Sequence, residues 1–160
     1  MTDRAAREQG PWNNPGFLLW RVTLRWQRAV AGALRPYELT HPQFVVLASA
    51  WWLGRHGQPP SQRELAEHAG MDAMTASQVA RALEGKRLIS REQDPHDTRI
   101  KRLHVTEQGT ALAREAIELV EAVDRAYFQA TPDGPAFVEA LLALDAQPGS
   151  AAVLPGAGSE

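Results

Sequence analysis

Residues 61–109 read SQRELAEHAGMDAMTASQVARALEGKRLISREQDPHDTRIKRLHVTEQG, and this stretch decides the fold. Ser61 followed by Glu64 is a capping box, which opens a helix of about two turns that Gly70 ends. Asp72 caps a second helix, which we predict over residues 73–85. Two helices of this size, joined by so short a turn, are typical of a helix-turn-helix.

The second of these helices has a polar outward face. Its inward face consists of small and aliphatic residues, namely Ala76, Val79, Ala80 and Leu83. Its outward side chains all donate hydrogen bonds; they are Thr75, Ser77, Gln78 and Arg81. In a helix-turn-helix the second helix enters the major groove, where such donors meet base edges. The pattern also fits an ordinary pair of helices with a polar solvent face, so the segment that follows matters.

A β-hairpin is predicted directly after this helix. Residues 88–93 and 100–105 have strand character, and residues 94–99 between them contain Asp, Pro and Thr, which favour turns. Basic side chains flank or tip the hairpin, with His96 at the turn; they are Arg87, Arg91, Arg99, Lys101 and Arg102. We expect these cations to contact phosphates or to enter a narrow minor groove. Asp97 is expected to orient the Arg99 guanidinium.

Helices are predicted on both sides of this segment. Residues 17–35 repeat apolar side chains at spacings of 3 and 4, and Pro36 ends that helix; the recurring apolar residues are Leu19, Val22, Trp26, Val30 and Ala33. Thr40 with Gln43 opens a further helix that ends near Gly54 or Gly57. A long helix from Thr106 to about Gln129 carries a near-heptad apolar seam, formed by Leu112, Ala116, Leu119, Val123 and Tyr127, with Val120 beside it.

The chain ends are expected to lie outside the packed structure. A last helix begins at Thr131–Pro132, and residues 148–160, rich in Gly, Ala and Pro, are predicted to be a disordered tail. Residues 1–15 are predicted to be a flexible arm. The fold class is therefore mainly α with one small β-hairpin.

The charge of the 160-residue chain is unevenly distributed. Residues 1–106 carry 15 Lys/Arg against 10 Asp/Glu, whereas residues 107–160 carry two against nine. This asymmetry predicts a cationic lobe that meets phosphates and an acidic part that avoids them; a single acidic solvated helix would give the same count. The sequence contains no cysteine, no signal peptide and no apolar run long enough for a membrane span, so we expect a cytoplasmic location.

Neither catalysis nor metal binding is indicated by the remaining polar residues. The five histidines lack metal-ligand spacing such as H-E-x-x-H, and no phosphate loop or Ser–His–Asp order is present. We therefore predict no enzyme activity, no cofactor and no metal site. Aromatic residues instead suggest a small-molecule pocket, with Trp20, Trp26, His41, Trp51 and Trp52 as its candidate ligand-binding residues. The same tryptophans also suit a core or a dimer interface.

The stretch resembles the winged helix-turn-helix of the MarR family of bacterial regulators. The matching segments are Leu83–Arg91 (LEGKRLISR), Asp94–Arg99 (DPHDTR) and Leu103–Gly109 (LHVTEQG). Upstream, Leu39–Leu47 (LTHPQFVVL) is similar to the start of the family's second helix, and the resemblance extends over roughly residues 16–146. The aspartate–arginine wing followed by L-T-x-x-G is a specific combination.

The resemblance implies a homodimeric transcriptional regulator of double-stranded DNA. Residues 37–106 would form the winged lobe, and residues 16–36 and 107–146 a helical dimerisation region. The dimer would read a palindromic operator in successive major grooves, with Arg99 in the minor groove. The DNA-binding residues would be Ser61, Gln62, Thr75, Ser77, Gln78, Arg81, Asp97, Arg99 and Lys101. A small aromatic or phenolic ligand, bound between the dimer helices and the lobe, would lower DNA affinity and release a repressor.

Two positions depart from the family pattern. Many members have Arg where this chain has Gln78, which shifts the expected base preference from guanine towards adenine. Arg87 replaces a glycine at a position that often adopts a left-handed backbone. The alternatives to a ligand-released repressor are a constitutive DNA-binding regulator without a small-molecule ligand, or a metal-sensing regulator.

Overall fold

A computed structural model describes residues 11–146 of the chain. In chain order its helices and strands are α1 (Pro15–Leu34), α2 (His41–His56), α3 (Gln62–His68), α4 (Ala73–Gly85), β1 (Ile89–Gln93), β2 (Lys101–Val105), α5 (Glu107–Phe128) and α6 (Gly134–Asp145). Short 3-10 helices occupy Pro11–Asn13 and Arg35–Tyr37. The predicted class, mainly α with one β-hairpin, is confirmed.

Local capping explains where most helices begin. The Thr40 hydroxyl accepts a hydrogen bond from the Gln43 amide at 3.3 Å, and the Gln43 side chain accepts one from the Thr40 amide at 3.2 Å. This reciprocal pair satisfies two amides that the first turn of α2 leaves without a helical partner. Helix α1 ends at Leu34, and Pro36 lies in the 3-10 helix that follows, as its fixed backbone predicts.

The start of the described chain is more ordered than expected. Pro11–Asn13 form a 3-10 helix, and the Asn14 side chain caps α1 by accepting from the Phe17 amide at 2.8 Å. The prediction of a flexible arm over 1–15 is therefore wrong for residues 11–15, because Asn14 and Pro15 are favourable at a helix start. Residues 1–10 and the predicted tail 148–160 lie outside the described residues.

The core forms where α1, α2, α3, α4, the hairpin and α5 meet. Its fully buried large side chains are Val30, Leu34, Val46, Leu47, Leu65, Leu83, Ile89 and Leu103. Helix α5 contributes Ala113, Ala116 and Val120 to the same cluster. All of these residues belong to one compact unit that extends to Asp124. The buried side chains of α1 and α5 thus share a core with the helix-turn-helix.

Two predicted apolar faces differ from the structure. On the apolar stripe predicted for α1, Val30 is buried, but Leu19 and Val22 are 51% and 39% exposed. Helix α5 buries Gly109, Ala113, Ala116 and Val120, whereas the predicted seam residues Leu112 and Leu119 are only half-buried. Periodicity identifies an apolar stripe on a helix, but it does not show which residues of that stripe are buried within the chain itself.

The hairpin packs against the start of α3. Strands β1 and β2 are antiparallel, with Ile89 opposite Val105 and Gln93 opposite Lys101. Ser61 forms a single β-bridge with Arg102 on the other edge of β2, and the Leu103 amide donates to the Pro60 carbonyl at 2.9 Å. These backbone bonds fix the hairpin beside the first residue of the helix-turn-helix.

Thr106 joins the end of α4 to the beginning of α5. Its amide donates to the Leu88 carbonyl at 3.0 Å. Its hydroxyl lies 2.8 Å from the Arg87 carbonyl and accepts from the Gly109 amide at 3.0 Å. A Cβ on Gly109 would collide with the Leu88 carbonyl. The L-T-x-x-G segment therefore allows the start of α5 to pack closely against the backbone at Leu88. Arg87 adopts the predicted left-handed backbone, with φ of 60°.

A second compact unit begins at Arg125 and contains the end of α5 and α6. The Asp133 side chain caps α6 by accepting from the Ala136 amide at 3.0 Å, so this helix begins two residues later than Thr131–Pro132 suggested. The Phe128 and Phe137 rings lie 5.7 Å apart. Within the described residues, no helix has the length and apolar character needed to span a membrane.

Candidate nucleic-acid interface

Helices α3 and α4 form a rigid helix-turn-helix. The Ser61 hydroxyl accepts from the Glu64 amide at 3.2 Å, and the Glu64 carboxylate accepts from the Ser61 amide at 2.7 Å. Gly70 turns the chain between the helices with φ of 62°, a conformation that glycine adopts without steric cost. The Asp72 carboxylate then accepts from the Thr75 amide at 2.9 Å. Each predicted helix start and the turn are therefore present.

The inward face of α4 holds the helix against the lobe through small side chains. Ala76, Ala80 and Leu83 are completely buried, and Val79 is half-buried and packs against the same core. Alanines allow close approach of helix backbones, so the position of α4 is set by its buried stripe. The opposite stripe remains available to a partner.

The outward face of α4 exposes most of the predicted base-reading residues. Thr75, Gln78 and Arg81 are exposed, and Ser77 is half-buried. The Thr75 hydroxyl donates to Asp72 at 2.6 Å, so towards DNA it offers a methyl group and an acceptor. Arg81 donates to the Ser77 hydroxyl at 3.3 Å. Gln78 is the residue best suited to a bidentate contact with adenine.

Met74 was not among the predicted interface residues. It lies in the first turn of α4 and is 74% exposed. An exposed methionine here suits an apolar contact with a thymine methyl group. The sequence did contain a signal for it. Met74 lies two residues after the Asp72 cap, on the side of the helix opposite the buried residues, so it is predicted to be exposed.

Asp94 organises the tip of the hairpin. It is only 5% exposed, and its carboxylate accepts from the backbone amides of His96 at 2.8 Å and Asp97 at 3.1 Å. The Arg102 guanidinium also donates to it. The hydrogen bond from Arg102, followed by that from the His96 amide, lowers the pKa of Asp94 to about 2. The sequence predicted a turn residue here, not this buried anchor.

Two of the basic residues of the hairpin form ion pairs with carboxylates of the same chain. Arg102 pairs with Asp94, donates to the Pro59 carbonyl at 2.8 Å and lies 3.6 Å from the Glu64 carboxylate. Arg91 pairs with Glu84 and, through that hydrogen bond, lowers the pKa of the Glu84 carboxyl. Carboxylates already occupy both guanidinium groups, so these arginines stabilise the fold, and their contact with phosphates stays a prediction.

Arg99 projects from the tip as expected. Its side chain is 92% exposed, and its Nε lies 3.8 Å from the Asp97 carboxylate. The same carboxylate oxygen accepts from the Arg99 amide at 3.0 Å. Asp97 thus restricts the base of the Arg99 side chain while the guanidinium remains open to solvent.

A cationic groove brings the helix-turn-helix and the hairpin together. This groove, of about 500 Å³, is lined by Ser61, Gln62, Arg63, Ala73, Arg99, Ile100 and Lys101. Four of the predicted DNA-binding residues, Ser61, Gln62, Arg99 and Lys101, are among them. The lining contains three cations and no carboxylate; the partners of Arg63 and Arg99, Glu67 at 2.8 Å and Asp97 at 3.8 Å, do not belong to the lining. A groove of this composition suits a phosphodiester backbone.

The five candidate ligand residues do not converge on one cavity within residues 11–146. Trp20 and Trp52 are 62% and 52% exposed, and the Trp52 ring packs on His56 at 4.2 Å. Trp51 lines a cleft that lies between α2, β2 and α5. The Trp26 and His41 rings are in contact, with centroids 5.0 Å apart.

His41 lines the largest of the observed clefts. This open cleft of about 850 Å³ lies between α1 and α2, and its wall includes Leu24, Arg28, Arg35, Val45 and Met71. The Trp26 indole donates to Asp124 at 2.7 Å. Burial lowers the pKa of His41, and the negative charge of Asp124 opposes that shift. The cleft thus combines apolar walls with arginines and one neutral imidazole near pH 7.

Comparison with known proteins identifies the family. The sequence model described as the MarR family matches residues 39–101. The chain is also 40% identical over 135 residues to YdcH of Bacillus subtilis, an uncharacterised HTH-type transcriptional regulator; the match covers 84% of this chain and 92% of YdcH. The chain belongs to the MarR family. This MarR-family protein is therefore a DNA-binding transcriptional regulator and not an enzyme.

Solved structures share the fold over most of this regulator. CouR from Rhodococcus jostii RHA1, solved with p-coumaroyl-CoA, is 30% identical with a TM-score of 0.74, covering 85% of this chain and 94% of CouR. A mutant of E. coli MarR complexed with operator DNA is 25% identical with a TM-score of 0.72, covering 88% of this chain and 96% of that protein. The winged helix-turn-helix architecture is confirmed.

Proposed function

We propose that this MarR-family protein is a homodimeric repressor that binds a palindromic operator. The observation that carries the proposal is the cationic groove, in which Ser61, Gln62, Arg99 and Lys101 lie beside the start of α4. With α4 in the major groove, this groove receives the adjoining phosphates, and Arg99 extends towards the next minor groove. Repression follows if the operator overlaps a promoter, because bound protein excludes the polymerase. Because its proposed target is DNA, we propose that the protein is located in the cytoplasm.

The dimer in this proposal uses apolar surfaces that each compact unit leaves uncovered. On α1 the exposed apolar side chains are Leu18, Leu19, Trp20 and Val22. On α6 they are Val138, Leu141, Leu142 and Leu144. Contiguous apolar patches on a helix face are unfavourable in water and favour association. A second copy of the chain is the occupant that also gives the two half-sites of a palindrome.

The ligand in this proposal is a small aromatic molecule in the cleft beside His41. Leu24, Val45 and Met71 provide apolar walls, and His41 provides a hydrogen-bonding ring. A ligand there contacts α1 and α2 together, so it favours one spacing of the two reading helices over another. Repression is relieved when that spacing no longer matches half-sites about 34–36 Å apart.

Selection from random duplex DNA with the purified full-length chain tests the DNA-binding part. We expect an enriched inverted repeat, bound by two chains as measured by analytical ultracentrifugation. Enrichment of a single half-site bound by one chain would contradict the dimer. Absence of any enriched sequence, in a protein that unfolds cooperatively, would contradict sequence-specific binding.

Gel-shift titration with phenolic compounds tests the ligand part on the selected operator. We expect at least one compound to lower operator affinity in the wild type and to lose that effect in His41→Ala. If no compound changes the affinity, the protein is a constitutive regulator. If divalent zinc alone changes it, the protein is a metal sensor, and the ligand proposal is wrong in both cases.

A further inference from the structure

Met74 is the one large apolar side chain that helix α4 exposes. It is 74% exposed, more than any other of the exposed large apolar side chains among the described residues. The remaining ones lie on α1, α2 and α6 or at Trp12. Met74 therefore lies on a different helix from the apolar surfaces that the proposed dimer uses, and its exposure needs another explanation.

Two opposite stripes of side chains run along α4. One stripe is completely buried and consists of Ala76, Ala80 and Leu83. The other stripe is exposed and consists of Met74, Gln78 and Arg81. Both stripes have the spacing i, i+4, i+7, and each exposed residue precedes a buried one by two positions. Two residues of an α-helix correspond to a rotation of about 200°, so the exposed stripe points directly away from the core.

Folding of the lobe does not explain a methionine at this position. Most of the Met74 side chain is in contact with water, so it gains little from burial. A single exposed apolar residue is common on protein surfaces and needs no function by itself. Met74, however, shares a stripe with Gln78 and lies in the first turn of α4. The N-terminal residues of a reading helix are those that contact base edges.

The thioether side chain of Met74 discriminates between base edges through its apolar character. Methionine has no hydrogen-bond donor, and its sulfur is only a weak acceptor. In the major groove, thymine is the base that presents a methyl group, whereas the edges of the other three bases present hydrogen-bonding groups. A methionine that covers the methyl group removes apolar surface from water. A methionine that covers a polar edge leaves that edge without a partner, which costs free energy.

We propose that Met74 contacts the C5-methyl group of a thymine in each half-site and is the residue that specifies this base. Gln78 lies four residues further along the same stripe, which is about 6 Å along the helix axis. Base pairs are about 3.4 Å apart, so the thymine lies within about two base pairs of the adenine that Gln78 is suited to read. This inference rests on the proposed function, because it names one base of the proposed operator and the residue that reads it.

Replacing thymine with deoxyuridine in the selected operator tests the inference, because deoxyuridine lacks only the methyl group. Each duplex carries one symmetric pair of replacements, one in each half-site, and fluorescence anisotropy measures its affinity for the full-length chain. We expect one such pair to lower the affinity of the wild type about fifteenfold. The reason is that one buried methyl group corresponds to about fourfold in affinity, and the dimer makes this contact in both half-sites.

Three variants assign the methyl contact to a side chain. Met74→Ala should bind the thymine and deoxyuridine duplexes with equal affinity, whereas Met74→Leu keeps the apolar bulk and should retain most of the discrimination. Thr75→Ser is the matched control, because it removes the neighbouring methyl group but keeps the hydroxyl that donates to Asp72 at 2.6 Å; it should discriminate as the wild type does. Met74→Ala should keep the salt dependence of the wild type, since it removes no phosphate contact, and thermal unfolding verifies its fold.

Several results would overturn this assignment. Equal affinity of the wild type for every thymine and deoxyuridine duplex would show that no methyl group is read, although operator binding itself would stand. Discrimination that persists in Met74→Ala would exclude Met74, and its loss in Thr75→Ser would assign the contact to Thr75. A smaller salt slope in Met74→Ala would attribute its effect to phosphates instead of bases. Selection that enriches no sequence at all would refute the proposed function, and the inference with it.

Discussion

Replacing Arg99 with alanine removes the most exposed cation of the wing. Its side chain is 92% exposed, and its Nε lies 3.8 Å from the Asp97 carboxylate, the one ion pair it forms within residues 11–146. Folding therefore depends little on this guanidinium, and we expect the free energy of unfolding to change by less than about 0.5 kcal/mol. Operator binding, in contrast, loses one phosphate-neutralising charge for each wing.

The size of the effect follows from counterion release. Each neutralised phosphate contributes about 0.9 to the slope of log affinity against log salt, so two wings contribute about 1.8. Between roughly 50 and 200 mM salt, the advantage of the wild type over Arg99→Ala should therefore shrink about twelvefold. Fluorescence anisotropy with the selected operator, repeated across this salt range, measures the slope directly.

Arg99→Lys is the matched variant, because it keeps the charge and removes the planar guanidinium. We expect it to keep the wild-type slope while losing affinity for operators with a narrow A·T minor groove. An unchanged slope in Arg99→Ala would refute the role of the wing. A large loss of thermal stability in the same variant would refute the description of Arg99 as an exposed residue.

Three further outcomes are expected. Gly109→Ala should lower the free energy of unfolding by about 1–3 kcal/mol, because the new Cβ collides with the Leu88 carbonyl. Gly54→Ala, which has open space around it, should raise the free energy of unfolding by about 0.5–1 kcal/mol. Urea unfolding measures both changes, and changes of the same sign would contradict the described packing. Asp94→Asn should reduce operator affinity by loosening the hairpin tip that the Asp94 carboxylate holds together, and it should be less stable than the wild type at neutral pH. Because the folded pKa of Asp94 is depressed to about 2, its stabilisation is present above pH of about 4 and is lost as the pH falls towards 2, so acid unfolding curves of the two proteins should converge over that interval. Gln78→Arg should shift the base preference of the selected operator from adenine towards guanine, and an unchanged selected sequence would exclude Gln78 from base reading.

The helix-turn-helix was predictable because its signals are local. Ser61, Gly70 and Asp72 act within three or four residues of their own positions, through caps and a left-handed turn. Such signals need no knowledge of distant contacts. Helix α4 accordingly spans Ala73–Gly85, the same residues that the sequence predicts.

The wing was predicted as a hairpin, but its ion pairs were not. Arg102 meets Asp94 across the hairpin and Glu64 from another element. Those contacts depend on strand register and on how the hairpin packs, neither of which is written in residue type alone. A run of basic residues therefore suggested five cations for DNA, although Arg91 and Arg102 serve the fold.

The aromatic residues show a similar limit. Trp26 and Trp51 are both half-buried, but Trp51 lines a cleft whereas Trp26 packs against His41, and Trp20 is exposed. Helical periodicity placed Leu19 and Val22 on an apolar stripe, but a single chain leaves that part of α1 uncovered. The sequence identifies an apolar surface, but the residues that cover this surface become visible only in the packed structure.

The hydrogen bonds of Thr106 couple the end of α4 to the start of α5. Thr106 bonds to the carbonyl oxygens of Arg87 and Leu88 and also caps the first turn of α5, so it links the segment directly after α4 to the start of α5. A change in the position of the first turn of α5 would therefore act directly on the backbone that follows the reading helix. In the proposed homodimer, the start of α5 and the end of the reading helix would therefore move together within each lobe.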